Sequence, residues 1–141
     1  MNSATIQNYI LDALRSFPML ATLANAGQIR AQSDQSDPKI EGLAIVVSVT
    51  DKGGHLGLPG RVLVDFDVEV SIRSSLTDDP DLAGYNELAQ SVQDALNGLP
   101  CDLVQSGFIL RYFSPWQENG LALDGFFRYN TFTSTFLIQS L

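Results

Sequence analysis

Four groups of residues have the types that could do chemistry. His55 is the single histidine and lies in Gly53-Gly54-His55-Leu56-Gly57-Leu58-Pro59-Gly60-Arg61. As the base of a nucleophilic triad it would need a serine on a strained turn, and the sequence contains no Gly-x-Ser-x-Gly elbow. The same stretch has neither dinucleotide-binding nor phosphate-loop spacing, and a strand pattern follows it. Without a helix N-terminus it has no anion seat. It reads as a hairpin tip carrying an exposed histidine.

Cys101 is the single cysteine. Its neighbours, Pro100, Asp102 and apolar residues, disfavour a thiolate, so it reads as structural. Asp78, Asp79 and Asp81 lack the spacing and the bidentate glutamate of a calcium loop, and capping of a following helix explains them. Asp65, Asp67 and Glu69 alternate along one stretch, which puts three carboxylates in a row on one strand face. A catalytic pair needs a cleft that drives two acidities apart, and alternation supplies none. The row reads either as a solvated sheet face or as an acidic wall that repels nucleic acid. We therefore assign no catalytic residue, no cofactor site and no metal site.

The composition sets the frame for these groups. With 141 residues, 45% hydrophobic and 17% charged, the chain is expected to form one domain over 1–141 with a genuine core. One cysteine excludes an intrachain disulfide framework and a multi-cysteine zinc site. A net charge of −8 argues against unspecific adhesion to DNA or to anionic membrane, which requires the opposite sign. The first residues carry no basic stretch, and the apolar runs fall far short of the roughly 20 residues of a membrane span. The expectation is a soluble protein made in a cytoplasm.

The elements that must position these residues follow from periodicity. Residues 3–17 predict a helix, with Ser3 as cap and Ile6, Tyr9, Ile10, Ala13, Leu14 and Phe17 on one face. Pro18 ends it, and Met19 to Ala24 form a short apolar turn. Residues 25–39 read as a flexible polar loop. Ile40 to Thr50 predicts a buried strand, and 51–61 a second flexible loop. From Val62 to Ser74 apolar and polar residues alternate, which predicts a long strand paired with the one before it. Thr77-Asp78-Asp79-Pro80 opens a second helix, with Pro80 in its first turn, that runs to Gly98. Leu103 to Phe113 and Phe126 to Ile138 predict two more strands, joined by a connection over 114–125. The fold class is thus α+β: a mainly antiparallel four-stranded sheet with two helices on one face, in the order α-β-β-α-β-β. The last strand bears large side chains on both faces, with Arg128 among them, as an internal strand between core layers would and as a strand whose outer face meets a partner would; the partner is the preferred reading.

This order resembles the bacteriophage tail-terminator (tail-completion) family, represented by the lambda tail terminator. The residues that carry the resemblance are Ile6-x-x-Tyr9-Ile10-x-x-Ala13-Leu14 and the strand Val62 to Arg73. Ser75-Leu76-Thr77-Asp78-Asp79-Pro80, the helix Tyr85 to Leu96 and the Arg128-containing strand complete it. The resemblance implies a virion structural protein, assembled in the host cytoplasm, that forms a hexameric ring on the tail tube. Such a ring stops tube polymerisation and presents a docking surface to the head connector, with the sheath as a further neighbour in contractile tails. It implies that DNA passes through the lumen without specific binding. On that basis Asp65, Asp67 and Glu69 are expected to face the channel, and Arg73, Arg111, Arg128 and Phe132 to contact neighbouring subunits. Two alternatives stand beside it: another neck or minor tail protein, and a small soluble ligand-binding α+β module.

Overall fold

A computed structural model describes residues 3–32, 43–56, 62–75, 81–97, 109–124 and 127–139. The chain begins with helix α1 (Ser3–Ser16), whose Ile6, Ile10, Leu11 and Leu14 are buried. That three- and four-residue spacing forms one apolar stripe. Pro18, with φ preset for a tight turn, opens a 3-10 turn (Pro18–Leu20) that leads into the short helix α2 (Ala21–Asn25).

Strand β1 (Ile29–Ala31) follows, inside the segment expected to be a flexible loop. It pairs in parallel with strand β2 (Leu43–Leu56). Next come strand β3 (Val62–Ser75), helix α3 (Ala83–Asn97) and strands β4 (Ile109–Phe113), β5 (Gln117–Asp124) and β6 (Phe127–Gln139). The sheet runs β1-β2-β3-β6, with β4 and β5 both on the far edge of β6. The two share that edge by length: β4 faces Phe136 to Gln139, and β5 faces Phe127 to Thr133. Ser114 stitches the gap. Its N–H donates to the Thr135 carbonyl at 3.0 Å, its hydroxyl accepts from the Thr135 N–H at 2.8 Å, and its carbonyl accepts from the Ser134 hydroxyl.

The α+β class holds, but among the described residues the sheet is mixed with six strands rather than four, and there are three α-helices rather than two. β5 lies in the segment expected to be a connection. Asn119-Gly120 reads as a turn, yet it forms a bulge between Glu118 and Leu121 in which Gly120 adopts φ 92°, a conformation that glycine tolerates. β2 continues to Leu56 through a second bulge between Asp51 and Gly53. Helix α3 starts at Ala83, beyond Pro80, and has no acidic residue in its first turn. Leu82, at φ 64°, stands just before the helix, and its carbonyl accepts from the Asn86 N–H at 2.9 Å; Asp78 and Asp79 lie outside the described residues. Gly57–Arg61, Thr77–Pro80 and Cys101 lie outside the described residues, as does most of the expected strand from Leu103.

The core fills one side of the sheet. α1 packs on β1 and β2, and α3 on β3. Beneath them lie Ile45, Val47, Phe66, Val68, Val70, Ile72, Phe132 and Phe136, all buried. Trp116 closes this layer at the β4 end, edge-on to Phe136 with ring centroids 5.8 Å apart.

Candidate functional site

The sheet's second face carries none of the core cluster and presents the polar parity of its strands. Cross-strand register puts Asp67 between Thr50 and Thr135, Glu69 between Ser48 and Thr133, and Arg73 between Ala44 and Tyr129. Asp65 faces Leu137. Asp65, Asp67 and Glu69 therefore share one face of β3, at the roughly 6.6 Å spacing of alternate strand residues.

The row is not uniformly negative. Lys52, the residue inside the β2 bulge, reaches Asp67 with Nζ 2.5 Å from Oδ2. The Thr135 hydroxyl donates to the other Asp67 oxygen at 3.1 Å. With side chains 54% and 38% exposed, the ion pair adds at most about 1 kcal/mol. It does orient Asp67 and partly neutralise it. Glu69 stays exposed and carries the row's outward charge. Threonines 131, 133 and 135 line the next strand, and the Asn119 side chain donates to the Thr133 hydroxyl at 3.2 Å. Around Asp67 and Glu69 the described part of the face is acidic and rich in hydroxyls; farther along the same parity Ala44, Val46 and Ser71 are buried.

A second polar group lies on the core side, where α3 meets β5 and β6. Arg128 and Asn130 point inward on β6 and are 2% and 1% exposed. Tyr85 of α3 covers them at 4%. Asn130 donates its amide to Glu118 on β5 at 2.5 Å. Burial pushes the Tyr85 phenol up to about 12, and the negative Glu118 adds to this. The hydrogen bond with Asn130 and the positive Arg128 act the other way.

The folded phenol thus releases its proton later than the unfolded one at about 10. Tyr85's contribution to stability is full below pH 10 and is lost as pH rises from about 10 to 12. Tyr85→Phe is expected to flatten this alkaline fall, seen as a smaller drop in melting temperature between pH 9 and pH 11.5 than in the parent. An identical drop in both proteins would show that Tyr85 does not carry it.

Two of the expected subunit-contact residues need correction. Arg128 and Phe132, at 2% and 0% exposure, belong to the interior of a single chain and offer no side-chain surface to a neighbour. Their strand parity is the core parity. Arg73 lies half-buried on the open face. The side chains of Arg111 and His55 lie outside the described residues, although His55 belongs to strand β2 rather than to a loop. Sequence reasoning missed Lys52, Tyr85, Glu118 and Asn130. Only Tyr85 carried a signal, as a member of the buried stripe of its helix.

No family model matches the sequence, and no curated protein matches it. Solved structures do share the fold. One is a chain in the virion of a native gene transfer agent particle, with a TM-score of 0.66 at 13% identity over 98% of both chains. Another superimposes with a TM-score of 0.58 at 13% identity over 96% of both chains. The likeness is one of fold. It spans nearly the whole of each chain, so the helices, the long hairpin and β6 belong to one shared architecture.

Proposed function

We propose that this chain is a structural protein of a phage-like virion, and specifically a tail terminator. Six copies would form a ring on the last ring of the tail tube, stop its growth and receive the head connector. One observation carries this reading: end-to-end fold likeness to a chain of a gene transfer agent virion, joined to the order of elements in which the sequence resembles tail terminators. The open face supports it. A strand face bearing Asp65, Asp67 and Glu69 in a row suits a channel wall past which DNA slides, because like charges repel. Another neck or minor tail protein would share the likeness, and tube capping separates the two. A ligand-binding module is less well supported. Among the described residues, an open notch between the 3-10 turn and α3 measures about 150 Å³, below the roughly 300–1,000 Å³ of small-molecule sites.

The test is native mass and negative-stain imaging of the purified chain, followed by its addition to growing tail tubes. Rings of six and arrested tubes are expected. A dimer at every concentration, with tubes that grow on regardless, would overturn the proposal. Within assembled rings, the pair Asp65→Lys and Glu69→Lys should create salt-sensitive retention of DNA that the parent lacks. Equal indifference to DNA in both would remove these side chains from the channel.

A further inference from the structure

Strand β5 belongs to the sheet without contributing to its core. Gln117 to Leu121 and Leu123 are exposed, and Ala122 is half-buried. None of them joins the core cluster or the partly buried side chains packed against it. Position explains this. The helices pack chiefly on β1, β2 and β3, and the helix-side residues of β5, Glu118, Leu121 and Leu123, stand level with Phe132, Asn130 and Arg128 of β6.

The backbone hold on β5 is also interrupted. Its pairing with β6 breaks between Glu118 and Leu121, where Gly120 adopts φ 92°, and a bulge leaves a residue out of the ladder. Among the described residues β5 pairs with no other strand. Two side-chain bonds tie it down, from Asn130 to Glu118 at 2.5 Å and from Asn119 to Thr133 at 3.2 Å. Its ends are held better. Just before it, Trp116 is buried against Phe136 and Ser114 is bonded to Thr135. At the other end Asp124 is level with Phe127, where the chain has reversed into β6.

Beside the middle of β5 lie Arg128 and Asn130, 2% and 1% exposed. Both are polar, so lifting β5 returns to water groups that are costly to bury and forfeits little apolar burial. The other side of β6 differs. There β3 is paired from Leu63 to Ser75 without a break and sets Phe66, Val68, Val70 and Ile72 in the core. Local opening follows such differences in burial.

We infer that β5 is a strap hinged at both ends. Between Trp116 and Asp124 it lifts off β6 while β1-β2-β3-β6 stays closed, and each opening carries Arg128 and Asn130 from the interior to the surface. The bond from Asn130 to the Glu118 carboxylate is its latch, since a charged acceptor makes the stronger kind of hydrogen bond. The device does not depend on the ring reading.

The test is hydrogen exchange, read by mass spectrometry on the full chain at high dilution. Amides of 117–124 are expected to exchange roughly 100-fold faster than those of β3 and to respond little to urea below the unfolding transition. Equal protection of the two strands, or an equal response to urea, would overturn the strap. Glu118→Ala should speed exchange several-fold within 117–124 and leave β3 unchanged; an equal change in both would overturn the latch. Ala122→Cys with Tyr129→Cys, opposite one another, supplies a reversible lock in a Cys101→Ser chain. Oxidation to the disulfide should slow 117–124 to within about tenfold of β3, and reduction should restore the fast exchange. If 117–124 stays fast in the oxidised form, β5 does not open by leaving β6, and the strap is overturned.

Discussion

Phe132→Ala is expected to destabilise the fold of the single chain rather than loosen an assembly. The ring is fully buried on β6, level with Val70 on β3, and Val70 in turn is level with Val47 on β2. Removing it deletes the contacts of a whole aromatic side chain at the centre of the sheet. It also leaves a cavity that strands paired on both sides cannot collapse. The expected cost is about 3–5 kcal/mol, against a typical total of about 5–15 kcal/mol. Urea denaturation should show the midpoint falling by about a fifth or more with the slope unchanged. A residue serving only subunit contacts would lower the assembled mass and leave the monomer's midpoint in place, and that outcome would return Phe132 to the surface.

Arg128 is expected to have the second largest effect, and its two components can be separated. The guanidinium is buried beside Tyr85, whose acidity it influences together with Glu118. Its aliphatic stem fills space under the flank of α3. Arg128→Ala removes both charge and stem, and should cost about 3 kcal/mol, the range for losing a buried charged partner or a large core side chain. Arg128→Met keeps most of the volume and drops the charge as well, so it should lose only the part that the charge contributes and cost less than Arg128→Ala. Equal losses in both variants would mean that the charge, not the stem, supports this corner.

Much of the architecture was legible because β3 alternates cleanly. Its apolar parity faces the helices and its charged parity faces out, so Asp65, Asp67 and Glu69 fell on one plane before any coordinates. β6 was harder. Both of its parities hold aromatic residues, and an arginine on a strand suggests an outer face. Here Arg128, Asn130 and Ser134 share the core parity with Phe132 and Phe136, and the polar three are reconciled with burial by contacts such as Asn130 to Glu118 and Ser134 to Ser114. Such partners are 12 and 20 residues away in sequence and leave no local periodic trace. β5 was hidden by its composition, since Gln117-Glu118-Asn119-Gly120 has low strand propensity and owes its conformation to pairing with β6. β1 is three residues long, too short for any period to show. Lys52 could not be matched to Asp67 from alternation, because the bulge that carries it breaks the count.

The place of β6 in the strand order also governs when the molecule can exist during synthesis. It is the last strand in chain order, yet it lies between β3 and the β4–β5 edge. It pairs Val64 with Ile138, residues more than half the chain apart. A ribosome adding about 5–20 residues per second spends much of its time on a chain that has the β2–β3 hairpin but no strand to complete the sheet. During that interval Phe66, Val68 and Val70 have only the helices for cover. Closing so distant a pairing is slow compared with forming a local helix. The nascent chain therefore leaves the apolar face of its hairpin without its neighbouring strand until β6 emerges, and a copy interrupted before residue 127 has no completed sheet.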